Sequence, residues 1–159
     1  MRNEADIVNT IQTYSDSIRR ICFVYLKNYA DTEDVFQDIF LKYAECKKKF
    51  ESENHVRAWL IRVCINRCKD ILKSAAHRNI SIETLYSLPS DVSGDKQETL
   101  EAVLALPQNY RAVIYLHYYE GYTAPEISKL IGKNVNTIYT WLGRARDELK
   151  QLLGGELGE

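Results

Sequence analysis

TAPEISKLIGKNVNTIYTWLGRAR, from Thr123 to Arg146, is the stretch that decides the fold of this chain. It predicts two short helices joined by a glycine turn. Thr123 is a favourable N-cap, and Glu126, three residues later, completes a capping box. Gly132 can end the first helix, and Asn134 offers an N-cap for the second. A short helix, a glycine turn and a longer amphipathic helix are typical of a helix-turn-helix.

The second of these helices has an apolar face and a polar face. Apolar residues recur at helical spacing along one side: Val135, Ile138, Leu142, Ala145 and Leu149. The other side carries groups that can bond base edges or phosphates: Asn136, Thr137, Thr140, Trp141 and Arg144. A helix-turn-helix places such a helix in a DNA major groove. The same pattern also fits an ordinary helical hairpin whose polar face is only solvated.

The charge of the chain is nearly balanced but unevenly distributed. The 159 residues are 45% hydrophobic and 27% charged, with a net charge of −1, which predicts a globular chain of one domain or two small ones. Residues 31–45 carry five acidic residues against one lysine, whereas residues 55–78 carry six basic residues against one aspartate. Two neighbouring segments of opposite charge either form two different partner surfaces or neutralise each other inside one domain.

The four cysteines give no sign of a metal site. Cys22, Cys46, Cys64 and Cys68 form no C-x-x-C pair and no zinc-like spacing, so we predict neither a metal nor a cofactor. Cys64 and Cys68 lie one helical turn apart in an apolar pattern, which favours buried free thiols.

Several function classes are disfavoured by what the sequence lacks. The three histidines lie far apart beside no motif, and there is no phosphate-binding glycine loop or nucleophile motif, so we expect no enzyme and no catalytic residue. No run approaches the roughly 18 apolar residues of a membrane span, and the N-terminus has no signal-peptide pattern. We therefore expect a cytoplasmic protein without membrane insertion.

Helical periodicity outside the opening stretch predicts an all-α fold. Helices are expected over residues 4–29, from a cap at Asp31 or Thr32, over 56–76, and from 107 to a stop at Gly121. The expected buried face of the helix over 56–76 comprises Ala58, Ile61, Ile65, Cys68 and Leu72. Residues 79–97 lack helical period until the pattern resumes near Glu98. We therefore predict two small helical domains, 1–78 and 98–159, joined by a linker over 79–97.

The helix over 56–76 also carries a polar stripe, which we call the basic stripe. Successive steps of three and four residues put its members on one face: Trp59, Arg62, Asn66, Lys69 and Lys73. Cations on a helix can follow a phosphate backbone, and an aromatic residue beside a polar loop can stack an unpaired base. The alternative is a solvated basic face, with Trp59 partly packed on the neighbouring helix.

Three segments, in this order, resemble the extracytoplasmic-function class of bacterial RNA polymerase sigma factors. DTEDVFQDIFLK (31–42) is similar to the acidic helix of sigma region 2, and AWLIRVCINRCKDILK (58–73) to a second helix of that region. LPQNYRAVIYLHYYEGYTAPEISKLIGKNVNTIYTWLGRARDEL (106–149) resembles region 4. The resemblance implies a sigma factor that binds core RNA polymerase and directs promoter recognition, −10 strand opening and transcription initiation.

The resemblance also implies roles for individual positions. Asp34, Gln37 and Asp38 correspond to the surface that binds the clamp helices of the polymerase β′ subunit. Trp59, Arg62 and Asn66, with the loop after Phe50, correspond to the surface that opens and reads the −10 element. The helix that reads the −35 element corresponds to Asn136, Thr137, Tyr139, Thr140, Trp141 and Arg144. Region 4 of the family also docks on the β flap, and an anti-sigma protein commonly restrains the whole factor.

This chain departs from the family at three positions of the second helix of the helix-turn-helix. Tyr139 and Trp141 replace residues that are often basic, and Gly143 replaces a larger residue. These changes predict fewer phosphate contacts and a shallower salt dependence of DNA binding. The competing interpretation is a stand-alone helix-turn-helix regulator, which would bind duplex DNA without polymerase and usually as a dimer.

Overall fold

The computed structural model describes residues 2–77 and 94–154, and all of its regular structure in these ranges is helical. A π-helical turn, Tyr115–Tyr119, directly follows the fifth helix. The helices are α1 (Glu4–Leu26), α2 (Tyr29–Glu45), α3 (Glu53–His77), α4 (Gly94–Leu104), α5 (Gln108–Ile114), α6 (Ala124–Ile131) and α7 (Val135–Leu152). The predicted all-α fold is confirmed.

The chain divides into two compact units, Met1–Thr84 and Leu85–Glu159. In the first unit α1, α2 and α3 pack against one another, and in the second α5, α6 and α7 pack together with α4. The domain limits 1–78, 79–97 and 98–159 stay a prediction. Most of the predicted linker, residues 79–93, lies outside the described residues, and α4 begins at Gly94 rather than near Glu98.

The start of α2 differs from the predicted one. Lys27 adopts a left-handed conformation with φ of 53°, and the side chain of Asn28 accepts a hydrogen bond from the Asp31 backbone N–H at 2.9 Å. Helix α2 therefore begins at Tyr29, and the predicted cap at Asp31 or Thr32 is wrong. The N-cap is Asn28, three residues before Asp31, and its side chain bonds a backbone N–H of the first helical turn, as asparagine at an N-cap generally does.

Helix α3 buries a wider face than its spacing predicts. Ile61, Ile65 and Cys68 are buried as predicted, but Ala58 and Leu72 are only partly buried. Leu60 and Cys64 are instead completely buried. The difference arises because α3 packs against both α1 and α2, so two adjacent stripes of the helix face the core. Burial also raises the pKa of the Cys64 thiol well above its ordinary value.

The caps predicted for the helix-turn-helix are present. The Thr123 side chain accepts from the Glu126 backbone N–H at 3.3 Å, and the Glu126 carboxylate accepts from the Thr123 backbone N–H at 2.9 Å. Gly132 ends α6 with φ of 81°, a conformation that favours glycine. Asn134 caps α7 by accepting from the Asn136 backbone N–H at 2.8 Å. Thr123 and Glu126 therefore fix the start of α6, Gly132 fixes its end, and Asn134 fixes the start of α7.

The helix before this motif is not a continuous α-helix. We predicted one helix from Pro107 to a stop at Gly121, but α5 gives way to the π-helical turn, which widens the coil. The Glu120 N–H donates to the Tyr115 carbonyl at 3.2 Å, five residues back, and the Tyr115 and Tyr119 rings stack 5.1 Å apart. Gly121 then ends the segment with φ of 80°, as predicted.

Candidate nucleic-acid interfaces

An aromatic cluster lies at the start of α3. Trp59 is half-buried, with its ring centroid 5.7 Å from that of Phe50 and 6.2 Å from that of Tyr43 on α2. The Ser52 hydroxyl accepts from the His55 backbone N–H at 3.1 Å and so caps α3 beside the cluster. Burial raises the pKa of Tyr43, which keeps its hydroxyl neutral. Trp59 thus packs on one side, as the alternative interpretation expected, and keeps part of its surface exposed.

Arg2 holds this cluster to the loop after α2. Its Nε donates to the Tyr43 carbonyl at 3.1 Å, and its Nη2 donates to the Lys48 carbonyl. The guanidinium also lies 4.5 Å from the Tyr43 ring centroid and 4.8 Å from that of Phe50. Sequence reasoning missed Arg2, since these partners lie more than forty positions away and no local pattern connects them.

The other members of the basic stripe follow Trp59 along one accessible face of α3, as their spacing predicted. Arg62, Asn66 and Lys73 are exposed, and Lys69 is partly exposed. A phosphate backbone could approach this face without any rearrangement of the helix. The DNA-binding role of the stripe stays a prediction.

The acidic surface predicted on α2 is only partly free. Asp34 and Gln37 are exposed, whereas Asp38 accepts from Nε of Arg67 on α3 at 3.1 Å. The acidic and basic segments therefore neutralise each other in part, within one unit. Leu41, one turn beyond Gln37, is 57% exposed and adds an apolar side chain to this surface. Asp34, Gln37 and Leu41 are thus exposed members of this surface, and its polymerase-binding role stays a prediction.

Helix α7 presents most of the predicted DNA-reading residues to solvent. Asn136, Tyr139, Thr140 and Arg144 are exposed, whereas Thr137 and Trp141 are partly buried. The Thr140 hydroxyl donates to the Asn136 carbonyl at 3.0 Å, so only its acceptor lone pairs remain for a base edge. The outward face of α7 therefore exposes four of the six predicted residues.

Arg146 and Gly143 are two further features of α7, one a contact and one an open position. Arg146 Nε donates to the Tyr118 hydroxyl at 2.6 Å and so ties α7 to the π-helical turn. A Cβ atom added at Gly143 would meet nothing within 4 Å, so packing inside the chain does not require glycine there.

The first unit also brings three cysteines together. The Sγ atoms of Cys22, Cys64 and Cys68 lie within 4.8 Å of one another, and all three side chains are buried. Cys64 and Cys68 are buried free thiols, as predicted. The group as a whole was missed, because Cys22 lies on α1, 42 positions before Cys64, and spacing along the chain cannot reveal it.

Comparison with known proteins agrees with the two units. The model of Sigma-70 region 2 matches residues 10–78, and that of Sigma-70, region 4 matches residues 96–149. The ECF RNA polymerase sigma factor SigW of Bacillus subtilis (strain 168) is 30% identical over 167 residues, which cover 94% of this chain and 88% of SigW. This chain belongs to the ECF group of sigma factors.

Further relatives agree with this assignment. RNA polymerase sigma factor SigV of the same Bacillus strain is 27% identical over 145 residues, covering 89% of this chain and 87% of SigV. The sigma factor RpoE of Bartonella quintana, solved in complex with the anti-sigma factor NepR, has the same fold, with a TM-score of 0.82 at 22% identity over 96% of this chain and 99% of RpoE. The predicted function is confirmed: this sigma factor directs transcription initiation.

The relatives are transcription initiation factors. Within residues 2–77 and 94–154, no helix of this sigma factor combines the length and apolarity needed to cross a membrane.

Proposed function

We propose that this sigma factor works through two separately built DNA surfaces and one acidic polymerase surface. It binds core RNA polymerase in the cytoplasm and contributes no catalytic residue, since polymerase supplies the chemistry. The observation that carries the proposal is that one small unit presents both the basic stripe on α3 and the exposed acidic residues on α2.

The basic stripe and the aromatic cluster suit the −10 element. Arg62, Lys69 and Lys73 can follow the phosphates of a separated strand, and Asn66 can bond a base edge. The exposed part of Trp59 can stack a base that has left the duplex, an interaction worth roughly 1–3 kcal/mol. Because Arg2 holds the loop at residues 46–50 against the cluster, the stacking surface is preorganised.

The outward face of α7 suits the −35 element in duplex DNA. Asn136 and Thr140 lie one turn apart on this exposed face, and Arg144 follows one turn later. Arg144 can make two hydrogen bonds to a guanine edge. Tyr139 contributes an exposed ring and no charge, which supports a modest dependence of binding on salt. Thr137 and Trp141 would contact the flank of the groove.

The polymerase surface centres on Asp34, Gln37 and Leu41. Asp38 acts mainly through its ion pair with Arg67, which joins α2 to α3, and contributes less to the partner directly. We propose the β′ clamp helices as the partner of this surface and the β flap as the partner of the second unit. An anti-sigma protein is a further proposed partner, since relatives were solved with NepR and with the cytosolic domain of CnrY.

The polymerase surface is tested by reversing one exposed charge. Asp34→Arg should weaken binding to core RNA polymerase at least about tenfold, because like charges facing each other across an interface cost several kcal/mol. Its unfolding free energy should stay within about 0.5 kcal/mol of wild type, as for most surface changes. Fluorescence anisotropy measures the binding, and run-off transcription on genomic fragments measures initiation.

Asp16→Arg is the matched control, since Asp16 is an exposed acidic residue on α1 of the same unit. Equal losses in the two variants would mean that net charge, rather than this surface, governs the interaction. A stand-alone regulator would show promoter binding that is unchanged by core polymerase, and that outcome would overturn the proposal.

A further inference from the structure

We infer that Cys22, Cys64 and Cys68, the thiol cluster, form a binding site for one soft metal ion of the Cu(I) class. Cys22 lies on α1, and Cys64 and Cys68 lie one turn apart on α3. The Sγ atoms of Cys22 and Cys64 are 3.1 Å apart, and all three sulfurs lie within 4.8 Å of one another. The cluster therefore spans the interface between α1 and α3.

The spacing of the sulfurs suits a three-coordinate ion. A metal about 2.3 Å from each of three sulfurs in one plane separates the sulfurs by about 4 Å. The Cys22–Cys64 separation of 3.1 Å is shorter than that value and no pair is further apart than 4.8 Å, so small side-chain rotations would suffice. Cys64 and Cys68 also have the i, i+4 spacing with which one helix can supply two ligands to a metal.

The ligand set favours Cu(I) over other thiophilic ions. Thiolates select Cu(I), zinc and iron–sulfur clusters. Structural zinc sites are almost always four-coordinate, and iron–sulfur clusters need four cysteines or their replacements. Among the described residues no histidine, aspartate or glutamate joins the three cysteines. Each cysteine is 0% exposed, so solvent water has no direct route to a fourth position.

Binding at this site involves no electron transfer. Each thiol that coordinates the ion releases its proton to the buffer, and copper enters and stays as Cu(I). The ion would tie α1 to α3, and a ligand that binds only the folded state raises its stability. The expected consequence is a stiffer first unit, with no direct effect on α5, α6 and α7.

Cu(I) binding is tested on the whole reduced chain without oxygen. Cu(I) is supplied as its acetonitrile complex and titrated against a bathocuproine chelator. We expect one Cu(I) per chain. Binding should be more than about 100-fold weaker in Cys22→Ser and in Cys68→Ser, because mutating even the residues that support metal ligands lowers metal affinity about 10–100-fold. Cys46→Ser is the matched control, because Cys46 is a partly exposed free thiol of the same unit outside the cluster. No uptake, or an equal loss in Cys46→Ser, would overturn the inference.

Two measurements on the unsubstituted chain keep the test decisive if a serine variant fails to fold. Copper K-edge absorption should show three sulfur neighbours, and Cu(I) should slow amide exchange in α1 and α3 while leaving α5–α7 unchanged. Two sulfur neighbours, tighter binding of Zn(II) through a fourth ligand, or a Cys22–Cys64 disulfide found in place of copper uptake would each contradict the Cu(I) site.

Discussion

The two units of this sigma factor build their surfaces in different ways. In the second unit, caps at Thr123, Gly132 and Asn134 set where α6 begins and ends and where α7 begins, through partners within five residues along the chain. In the first unit, Arg2 contacts Tyr43 and Lys48, more than forty residues away. A locally encoded surface can form as soon as its helices do, whereas one encoded at long range depends on the whole unit being folded.

The largest test of this comparison removes core volume from one unit at a time. Ile61→Ala should destabilise the first unit by about 2–5 kcal/mol, because Ile61 is completely buried and truncation leaves a cavity. Hydrogen exchange measured by mass spectrometry should show lost protection in α1–α3 and unchanged protection in α5–α7.

Ile138→Ala is the mirror control, since Ile138 is equally buried on α7. It should remove protection from the second unit alone. If either substitution deprotects both units together, the two units fold as one, and the contrast between them is lost.

The next test concerns the outward face of α7 in the second unit. Arg144→Ala should cost about 1–3 kcal/mol of −35 binding and relax the preference at one base pair if Arg144 bonds a guanine edge. If it touches only phosphate, binding should weaken on all sequences alike, and the salt slope should fall by about one. Salt titrations of the holoenzyme on intact and scrambled −35 elements separate these outcomes.

Lys150→Ala provides the control for charge, since Lys150 is an exposed cation near the end of the same helix. It should not alter the preference at any base pair. A scrambled −35 element that binds as well as the intact one would mean that α7 does not read DNA, and the second unit would then be a protein-docking module.

A smaller effect is expected at the aromatic cluster of the first unit, whose contacts join residues far apart in the sequence. Arg2→Ala removes two hydrogen bonds to backbone carbonyls, two ring contacts and an ion pair with Asp6, and so loosens the loop and its aromatic cluster. Permanganate footprinting should show slower opening of closed promoters and near-normal complexes on templates already melted at the −10 element.

Arg2→Lys should recover only part of this function, because lysine keeps the charge but lacks the planar fork that meets two carbonyls. An equal defect on closed and melted templates would assign Arg2 to general stability rather than to the loop and its aromatic cluster.

The smallest expected effect lies inside α7. Gly143→Ala should raise the unfolding free energy of the second unit by about 0.5–1 kcal/mol, because glycine is a poor helix former and a methyl group there meets nothing within 4 Å. Thermal unfolding measures the gain. A more stable variant that binds the −35 element less tightly would show that the DNA backbone approaches α7 at Gly143.

The same contrast explains how much of the structure the sequence could predict. Thr123, Glu126, Gly132 and Asn134 were predicted with their roles, because capping depends on residue type at fixed short offsets. The basic stripe was predicted for the same reason, since helical spacing alone puts its residues on one face.

What the sequence could not predict are the contacts made at long range. The pair of Asp38 with Arg67 and the meeting of Cys22 with Cys64 depend on how α1, α2 and α3 pack, and no offset along the chain encodes that. The cap at Asn28 was missed for a different reason. Asn28, Asp31 and Thr32 are all favourable N-caps, and the left-handed Lys27 selects the first of them.

The π-helical turn gives this sigma factor one place where a helix can lose a residue locally. A π turn closes its hydrogen bond over five residues and an α turn over four, so deleting one residue from Tyr115–Tyr119 would allow α5 to continue as an ordinary helix. The later residues would then keep nearly their original direction, whereas a deletion within an α-helix would rotate every later residue by about 100°. Tyr118 and His117 are the members to keep, since the Tyr118 hydroxyl accepts from Arg146 and the His117 Nδ1 lies 2.7 Å from the Tyr122 carbonyl. The extra residue is therefore taken up before the helix-turn-helix, whose direction relative to α5 it leaves nearly unchanged.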